Sequence, residues 1–148
     1  MGNLKLTSSD FLDGDEIPRK YGYKNGNREP SLTMNGVPEG TKSLALIMDD
    51  PDAMGAVGKV WVHWVMWNID PTNTELFVEN LTREGMTDFG EVGYGGPAPP
   101  DKRHTYVFKL YALDCKLDLS NESTKADVEK AMEGHIIEQT QLTGTYAP

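Results

Sequence analysis

The sequence has little cysteine and few basic residues, and each shortage excludes a class of protein. One cysteine among 148 residues, Cys115, rules out an internal disulfide, which is consistent with a reducing compartment. Fourteen Lys and Arg residues stand against 23 acidic ones, and the net charge of −9 repels phosphate backbones and anionic bilayers. The composition therefore argues against nucleic-acid binding and against insertion into bulk membrane.

The chain also lacks long apolar runs. No stretch approaches the ~20 apolar residues of a membrane-spanning helix, and residues 1–11 contain no apolar core of a secretion signal. We therefore expect a cytoplasmic protein. Its length is typical of one domain, which we expect to extend over residues 1–148.

Three apolar segments predict the central strands of the fold. SLALIMD (43–49) is a short unbroken apolar run that follows a turn signal, which is typical of a strand buried on both faces. KVWVHWVMWNI (59–69) and HTYVFKLYALD (104–114) are rich in β-branched and aromatic residues. Simple alternation along the second segment places His63 on the same face as Trp67.

One helix and one further strand are expected near the end of the chain. Thr124 and Asp127 resemble an N-cap pair, and Gly134 suits the end of a helix. HIIEQTQLTGTY (135–146) is interpreted as a last strand. Because helices do not alternate regularly with strands, the sequence predicts a mostly β fold, a two-sheet sandwich with one or two short helices.

Ionisable residues lie at the edges of these apolar strands, where burial without a partner is costly. Asp50 ends the first strand, His63 lies within the second, and His104 and Tyr106 open the third. If the strands are neighbours, these groups converge on one pocket, where Asp50 accepts a hydrogen bond from a histidine and fixes its tautomer. The other ring nitrogens, the Tyr106 hydroxyl and the amides of Gly95–Gly96 then face outward and can bind an oxyanion.

Other kinds of site have less support. Two histidines and an aspartate can bind a metal, but the sequence has no HExxH spacing, and a single cysteine excludes a Cys-rich zinc site. Neither a G-x-S-x-G turn nor a nucleotide-binding glycine loop is present. The sequence predicts no metal and no cofactor. Each candidate residue also has a structural interpretation, such as a hydrogen-bonded histidine in a core.

Four motifs resemble, in order and spacing, the phosphatidylethanolamine-binding protein family, also called Raf kinase inhibitor-like. They are DDPDA (49–53), VHWVMWNI (62–69), GYGGPAPP (93–100) and HTYVFKLYALD (104–114). The resemblance extends over about residues 17–146 and is to the compact bacterial and archaeal branch. It implies a β-sandwich of two largely antiparallel sheets with Greek-key-like connections and a small anion pocket near the surface.

The resemblance also implies which residues form the pocket. The implied ligand-binding residues are Asp50, His63, Gly95, Gly96, Pro97, His104 and Tyr106, and Asp52 and Asn68 are implied as support for its walls. In the family this pocket is associated with phosphate, acetate or the phosphoethanolamine head group, and no general catalytic activity defines the family. The resemblance therefore implies a non-enzymatic, regulatory binding protein.

Three positions depart from the family pattern. Met54 replaces the proline of Asp-Pro-Asp-Ala-Pro, Ala98 replaces a frequent cysteine, and Thr105 replaces the arginine of His-Arg-Tyr. Ala98 removes any thiol-dependent property, and Thr105 cannot form the arginine's salt bridge. Alternation points Thr105 away from the pocket, so anion binding should survive.

Two alternatives stay open. The first is an inhibitor of a serine protease or protein kinase that acts through a surface loop, either residues 71–92 or the segment after Met54. The second is a hydrolase in which Asp50 and His63 form a general base. A homodimer is compatible with the resemblance, since a dimer is known in this branch, and no residue pattern requires one.

Overall fold

The computed structural model of the protein describes residues 2–76 and 82–148. Most of the regular structure is β-strand. The strands are Lys5–Thr7 (β1), Thr33–Asn35 (β2), Ser43–Asp50 (β3), Trp61–Ile69 (β4), Arg83–Glu84 (β5), His104–Leu113 (β6) and Ile136–Tyr146 (β7). The α-helices of the described ranges are Ala53–Val57 (α1) and Lys125–Met132 (α2), and Arg19–Tyr21 forms a 3-10 turn.

The strands form two antiparallel sheets. β1 pairs with β2, and the larger sheet has the order β5-β4-β3-β6-β7. Every residue of β3 is buried, because β3 is the central strand, and this explains its unbroken apolar run. The prediction of a mostly β fold with two largely antiparallel sheets and short helices is confirmed.

Both faces of the larger sheet are covered. On one face, Phe108 and its neighbours pack against N-terminal residues that include Phe11 and Ile17. On the other face, Ile47 and Trp67 belong to a cluster completed by α2. No helix within the described ranges is long and apolar enough to cross a bilayer.

The helix α2 begins and ends where the sequence predicts. The Asp127 amide donates to the Thr124 hydroxyl at 3.3 Å, and the Thr124 amide donates to the Asp127 carboxylate at 3.0 Å. This reciprocal pair satisfies donors that the first helical turn leaves free. Gly134, with φ of +79°, follows the helix in the left-handed region that glycine adopts easily.

A β-bulge interrupts the pairing of β3 with β4 and redirects His63. The consecutive residues Met48 and Asp49 of β3 pair with Trp64 and Val62 of β4. His63 lies between these two partners and is therefore the extra residue. The His63 ring lies 5.1 Å from that of Tyr106, a member of the first core cluster, whereas Trp67 belongs to the second. The prediction that His63 shares a face with Trp67 is wrong, because a bulge shifts the two-residue period.

A second irregularity places Asn68 at the opposite end of β4. Asn68 has φ of +57°, and its side-chain amide donates to the Leu117 carbonyl at 2.9 Å and accepts from the Leu117 amide at 2.8 Å. Asn68 therefore fastens the segment after β6. The expected support of the pocket wall by Asn68 is wrong, because its side chain is bonded to Leu117 near the other end of β4 from His63.

Candidate functional site

The sheet order brings the predicted polar residues together at one edge. β4, β3 and β6 are adjacent, so the end of β3 with Asp50 lies between His63 of β4 and His104 of β6. Both histidine rings contact Tyr106, with ring centres 5.1 Å and 6.4 Å away. The expectation that these four residues converge is confirmed.

A small cavity of about 140 Å³ opens at this edge. Cavities that enclose drug-sized ligands measure about 300–1,000 Å³, so this one has room for a small group. Its polar residues are Asp50, His63 and His104, and its apolar walls are Ala53, Ala56, Val57, Trp61, Phe89, Ala98 and Pro100. Low-polarity walls strengthen the electrostatic interactions of the few charged groups inside.

His104 is held between two carboxylates. Its Nδ1 lies 2.6 Å from Asp50 Oδ2, and its Nε2 lies 2.7 Å from Asp101 Oδ1. Burial alone would lower the pKa of His104, but the hydrogen bonds with Asp50 and Asp101 outweigh burial and raise it above 6.5. The geometry therefore favours an imidazolium that donates from both nitrogens.

His63 has the opposite character. Its Nδ1 lies 2.7 Å from the Gly95 carbonyl oxygen, which can only accept, so Nδ1 carries the proton. Burial lowers the pKa of His63 below 6.5 and outweighs the opposing hydrogen bond and nearby carboxylates. The ring is therefore neutral near neutral pH, and its Nε2 is an acceptor.

This arrangement corrects the expected Asp50–His63 base. The hydrogen bond of Asp50 goes to His104, because the bulge turns His63 toward the Gly95 carbonyl. Asp50 does orient a histidine, as predicted, but the histidine is His104.

Two buried polar atoms at the site have no hydrogen-bond partner among the described residues. They are Asp50 Oδ1 and the Tyr106 hydroxyl. Burial raises the pKa of Tyr106, and Asp50 raises it further through its charge and a weak contact with the hydroxyl, against a smaller opposing effect of the Ala98 backbone, so the hydroxyl stays a donor. An unpaired buried polar group costs about 1–3 kcal/mol, so native proteins rarely retain one without a role.

The Gly95–Pro97 loop supports the wall from behind. The Gly95 amide donates to the His63 carbonyl at 2.8 Å, the Gly96 amide to Asn27 Oδ1 at 2.7 Å, and the Tyr23 amide to the Pro97 carbonyl at 2.9 Å. The expectation that the Gly95 and Gly96 amides face outward is wrong, because both donate within the protein. The loop fixes the position of His63.

Asp52 braces the site from the start of α1. Its Oδ2 accepts a hydrogen bond of 2.8 Å from the Thr105 amide. This contact ties the segment after β3 to the first residues of β6, between which Asp50 and His104 meet. The supporting role predicted for Asp52 agrees with this geometry.

Three residues of the site were missed from the sequence. Asp101 bonds to His104, Phe89 packs edge-on against His63 at 5.2 Å, and Asn27 holds Gly96. The spacing of Asp101 and His104, three residues apart beside a proline pair, was an available signal. Phe89 and Asn27 lie in irregular segments whose path no local pattern reveals.

One group of possible metal ligands occurs elsewhere in the described ranges. Ligand atoms of Asp114, Cys115 and His135 lie within 4.8 Å of one another. His135 Nδ1 lies 2.8 Å from Asp114 Oδ1, and the Asp114 amide donates to the His135 carbonyl at 3.0 Å. These contacts join the residue after β6 to the residue before β7, which is a structural role. Burial and Asp114 raise the pKa of the Cys115 thiol, which opposes thiolate chemistry. The absence of a metal site stays a prediction.

Comparisons with known proteins agree with the motifs. The sequence profile of the family described as phosphatidylethanolamine-binding protein matches residues 7–147. The UPF0098 protein of Methanothermobacter thermautotrophicus is 44% identical over 152 residues, which cover 97% of this chain and 98% of that protein.

Two solved structures have the same architecture. A phosphatidylethanolamine-binding protein homologue from Chlamydia trachomatis superposes with a TM-score of 0.89 at 38% identity and covers 97% of this chain and 96% of its own. Escherichia coli YbcL, described as a member of the mammalian family, gives a TM-score of 0.90 at 34% identity over 98% of both chains.

Proposed function

Because the chain belongs to the phosphatidylethanolamine-binding protein family, we propose that its cavity is a non-enzymatic binding site for a small oxyanion. The ligand class is phosphate or a phosphomonoester, such as the phosphoethanolamine head group. The observation that carries the proposal is the position of His104 on the cavity wall, with its Nδ1 2.6 Å from Asp50 Oδ2, a contact that favours the charged ring. Charge-assisted hydrogen bonds of this kind bind oxyanions strongly.

The other polar atoms favour an oxyanion that still carries a proton. The Tyr106 hydroxyl is buried beside the two histidine rings and is not among the described residues that line the cavity, and we propose it as a donor to a phosphate oxygen. Asp50 Oδ1 and His63 Nε2 are acceptors. A phosphate group with its second pKa near 6 retains a P–OH donor at mildly acidic pH. The monobasic form therefore matches the donors and acceptors of the site better than the dibasic form.

Binding without turnover is the role that the cavity supports. The described residues that line it include no serine, threonine, cysteine or lysine, so that set has no hydroxyl, thiol or amine nucleophile, and its one carboxylate, Asp50, is bonded to His104. We infer that ligand binding regulates an interaction with a protein partner.

A second candidate is inhibition of a serine protease or protein kinase through the segment after Met54. Met54 and Val57 of α1 are 53% and 51% exposed, and Val57 also lines the cavity. Exposed apolar groups beside a site suit a protein contact. Inhibition that is lost in Met54→Asp but retained in Tyr106→Phe would favour this candidate. The other proposed loop, residues 71–92, includes residues 77–81, which lie outside the described residues.

The proposal is tested by phosphate and phosphoethanolamine titrations followed by NMR at about pH 6.5, the ordinary pKa of histidine. We expect shifts of the His63 and His104 ring signals with either ligand. Tighter binding of phosphoethanolamine would identify a head group, and equal binding would identify the phosphate group as the recognised element. Unchanged spectra at millimolar ligand would contradict the proposal.

Tyr106→Phe separates binding from stability. We expect about tenfold weaker phosphate binding, since one hydrogen bond to a charged group is lost. The free energy of unfolding should change by less than about 1 kcal/mol, because the lost hydroxyl forms no hydrogen bond of good geometry and only weak contacts with Asp50 and the Ala98 backbone. Tyr111→Phe, on the same strand but packed against the second core cluster, is the matched control and should leave binding unchanged.

A further inference from the structure

We propose that the Asp101 carboxylate holds the N–H group of His104 that an oxyanion in the cavity would use, and that a ligand binds by displacing Asp101 from His104. The inference rests on the proposed function and deepens it. It makes Asp101 a residue that sets affinity and selectivity at that site.

The first observation is that only Nε2 of His104 could donate a hydrogen bond to a ligand, and that Asp101 already accepts this hydrogen bond. Nδ1 is bonded to Asp50, whose side chain is 4% exposed. Nε2 is bonded to Asp101 Oδ1 at 2.7 Å. A bound oxyanion and the Asp101 carboxylate therefore need the same N–H group.

The second observation is the contrast in burial across this contact. The His104 side chain is 0% exposed, whereas the Asp101 side chain is 43% exposed. His104 cannot leave the cavity wall without abandoning Asp50. Asp101 can turn into water, where a carboxylate is well solvated.

The third observation is that contacts with other segments fix the backbone before Asp101, whereas its side chain is bonded to nearby groups, His104 and the neighbouring Lys102 amide. The loop before it is fixed by the bonds of Gly96 to Asn27 and of Pro97 to Tyr23, and Pro99 and Pro100 restrict its dihedral angles. Apart from His104, Asp101 Oδ1 accepts a bond of 2.9 Å from the Lys102 amide. Rotation of one side chain is therefore enough to free Nε2.

Charge makes the two occupants exclusive. With Asp101 in place, His104 already lies between two carboxylates. A third negative group beside the same imidazolium would meet repulsion from both, and repulsion is strong where walls are apolar. The measured affinity of a ligand is then its intrinsic affinity reduced by the fraction of molecules in which Asp101 is displaced.

The test is calorimetric titration of inorganic phosphate into the wild-type chain, Asp101→Asn and Asp118→Asn. Asparagine keeps the shape of Asp101 and removes its charge, so we expect about tenfold tighter binding if about nine molecules in ten hold the internal contact. Asp118→Asn removes an equal charge from an exposed residue. Asp118 follows Leu117, which is bonded to Asn68 near the end of β4 that is remote from the cavity. This control should change the affinity by less than about twofold.

A second readout reports on Asp101 directly. Burial raises the pKa of Asp101, but the hydrogen bond with His104, the backbone amides of Asp101 and Lys102, and the charge of His104 together hold it below 3.8 in the free protein. Its carboxyl carbon, followed by NMR, should titrate closer to the ordinary value when phosphate saturates the wild-type site.

Each outcome has a distinct meaning. Tighter binding in Asp101→Asn alone supports the inference, and so does binding seen only in that variant. Wild-type binding that Asp101→Asn leaves equal or weaker overturns the inference and leaves the proposed function intact. Failure of phosphate to bind either protein overturns both.

Discussion

At the scale of single residues, two histidine rings on either side of Tyr106 have opposite surroundings. His63 faces a carbonyl and aromatic rings, so burial dominates and lowers its pKa. His104 faces two carboxylates that outweigh burial and raise its pKa. The site thus combines a neutral acceptor and a charged donor made from the same amino acid, with burial dominant at His63 and two carboxylate partners dominant at His104.

This difference predicts two separate titrations. In NMR spectra His63 should stay neutral until the pH is below 6.5, and His104 should stay charged above 6.5. Because a lowered pKa stabilises the fold above the unfolded value, the contribution of His63 is lost as pH falls below about 6.5. The contribution of His104 has the opposite sign and is lost as pH rises through its raised pKa. Coincident titration of both rings at about 6.5 would contradict this assignment.

The sequence was informative about which residues meet, and less so about how they pair. Asp50, His63, His104 and Tyr106 were expected together because each interrupts an apolar strand. The pairing of Asp50 with His104, and not with His63, depends on a bulge that adds one residue to β4. A bulge results from the pairing of two strands, so no local propensity reveals it.

At the scale of elements, the Gly95–Pro97 loop positions the site through close backbone contact. A Cβ atom at Gly96 would overlap the Tyr21 carbonyl oxygen, so glycine is required for the loop to reach the Tyr21–Tyr23 segment. The same approach forms the Gly96–Asn27 bond. The rigidity of this Gly- and Pro-rich stretch therefore serves the position of His63.

Gly96→Ala is expected to destabilise the protein by about 1–3 kcal/mol, the usual cost of overpacking. It should also shift the His63 ring signals, because the loop that carries the Gly95 carbonyl must move. Denaturant unfolding and NMR measure the two effects. Gly55→Ala in α1, where an added Cβ meets nothing within 4 Å, is the matched control and should be neutral or stabilising. Equal stability of the two variants would show that the loop tolerates displacement.

Regular elements were predicted well because their signals are local. The unbroken apolar run identified β3 as the central strand, and the Thr124–Asp127 pair located the start of α2. The role expected of Asn68 was wrong because its interaction is not local. Its hydrogen-bond partner Leu117 is 49 residues away in the sequence. Contacts between distant irregular segments are set by the fold as a whole.

At the scale of the whole molecule, the net charge of −9 and the one imidazolium of the cavity act at different distances. The overall charge repels anionic surfaces over distances up to one Debye length, about 8 Å at physiological salt, beyond which salt screens it. Within the cavity, His104 acts at hydrogen-bond distance, where this screening is weak. A small soluble anion can therefore bind while an anionic bilayer is kept away.

We accordingly expect no binding to vesicles of phosphatidylcholine with about one third phosphatidylserine, since anionic membranes attract basic segments. Co-sedimentation at physiological salt measures it, and the protein should stay in the supernatant. Vesicles that contain phosphatidylethanolamine separate head-group recognition from charge. A pelleted fraction that grows with phosphatidylserine content would contradict the expectation.

The bulge at His63 also constrains how the sequence of β4 can evolve. The histidine faces the cavity because β4 carries one residue more than its partner strand at that point. A codon exchanged there alters one side chain, whereas a codon lost there turns the preceding residues to the opposite face of the sheet. Evolution of this gene can therefore replace residues of the strand one at a time, but it cannot delete one at this point without losing the site.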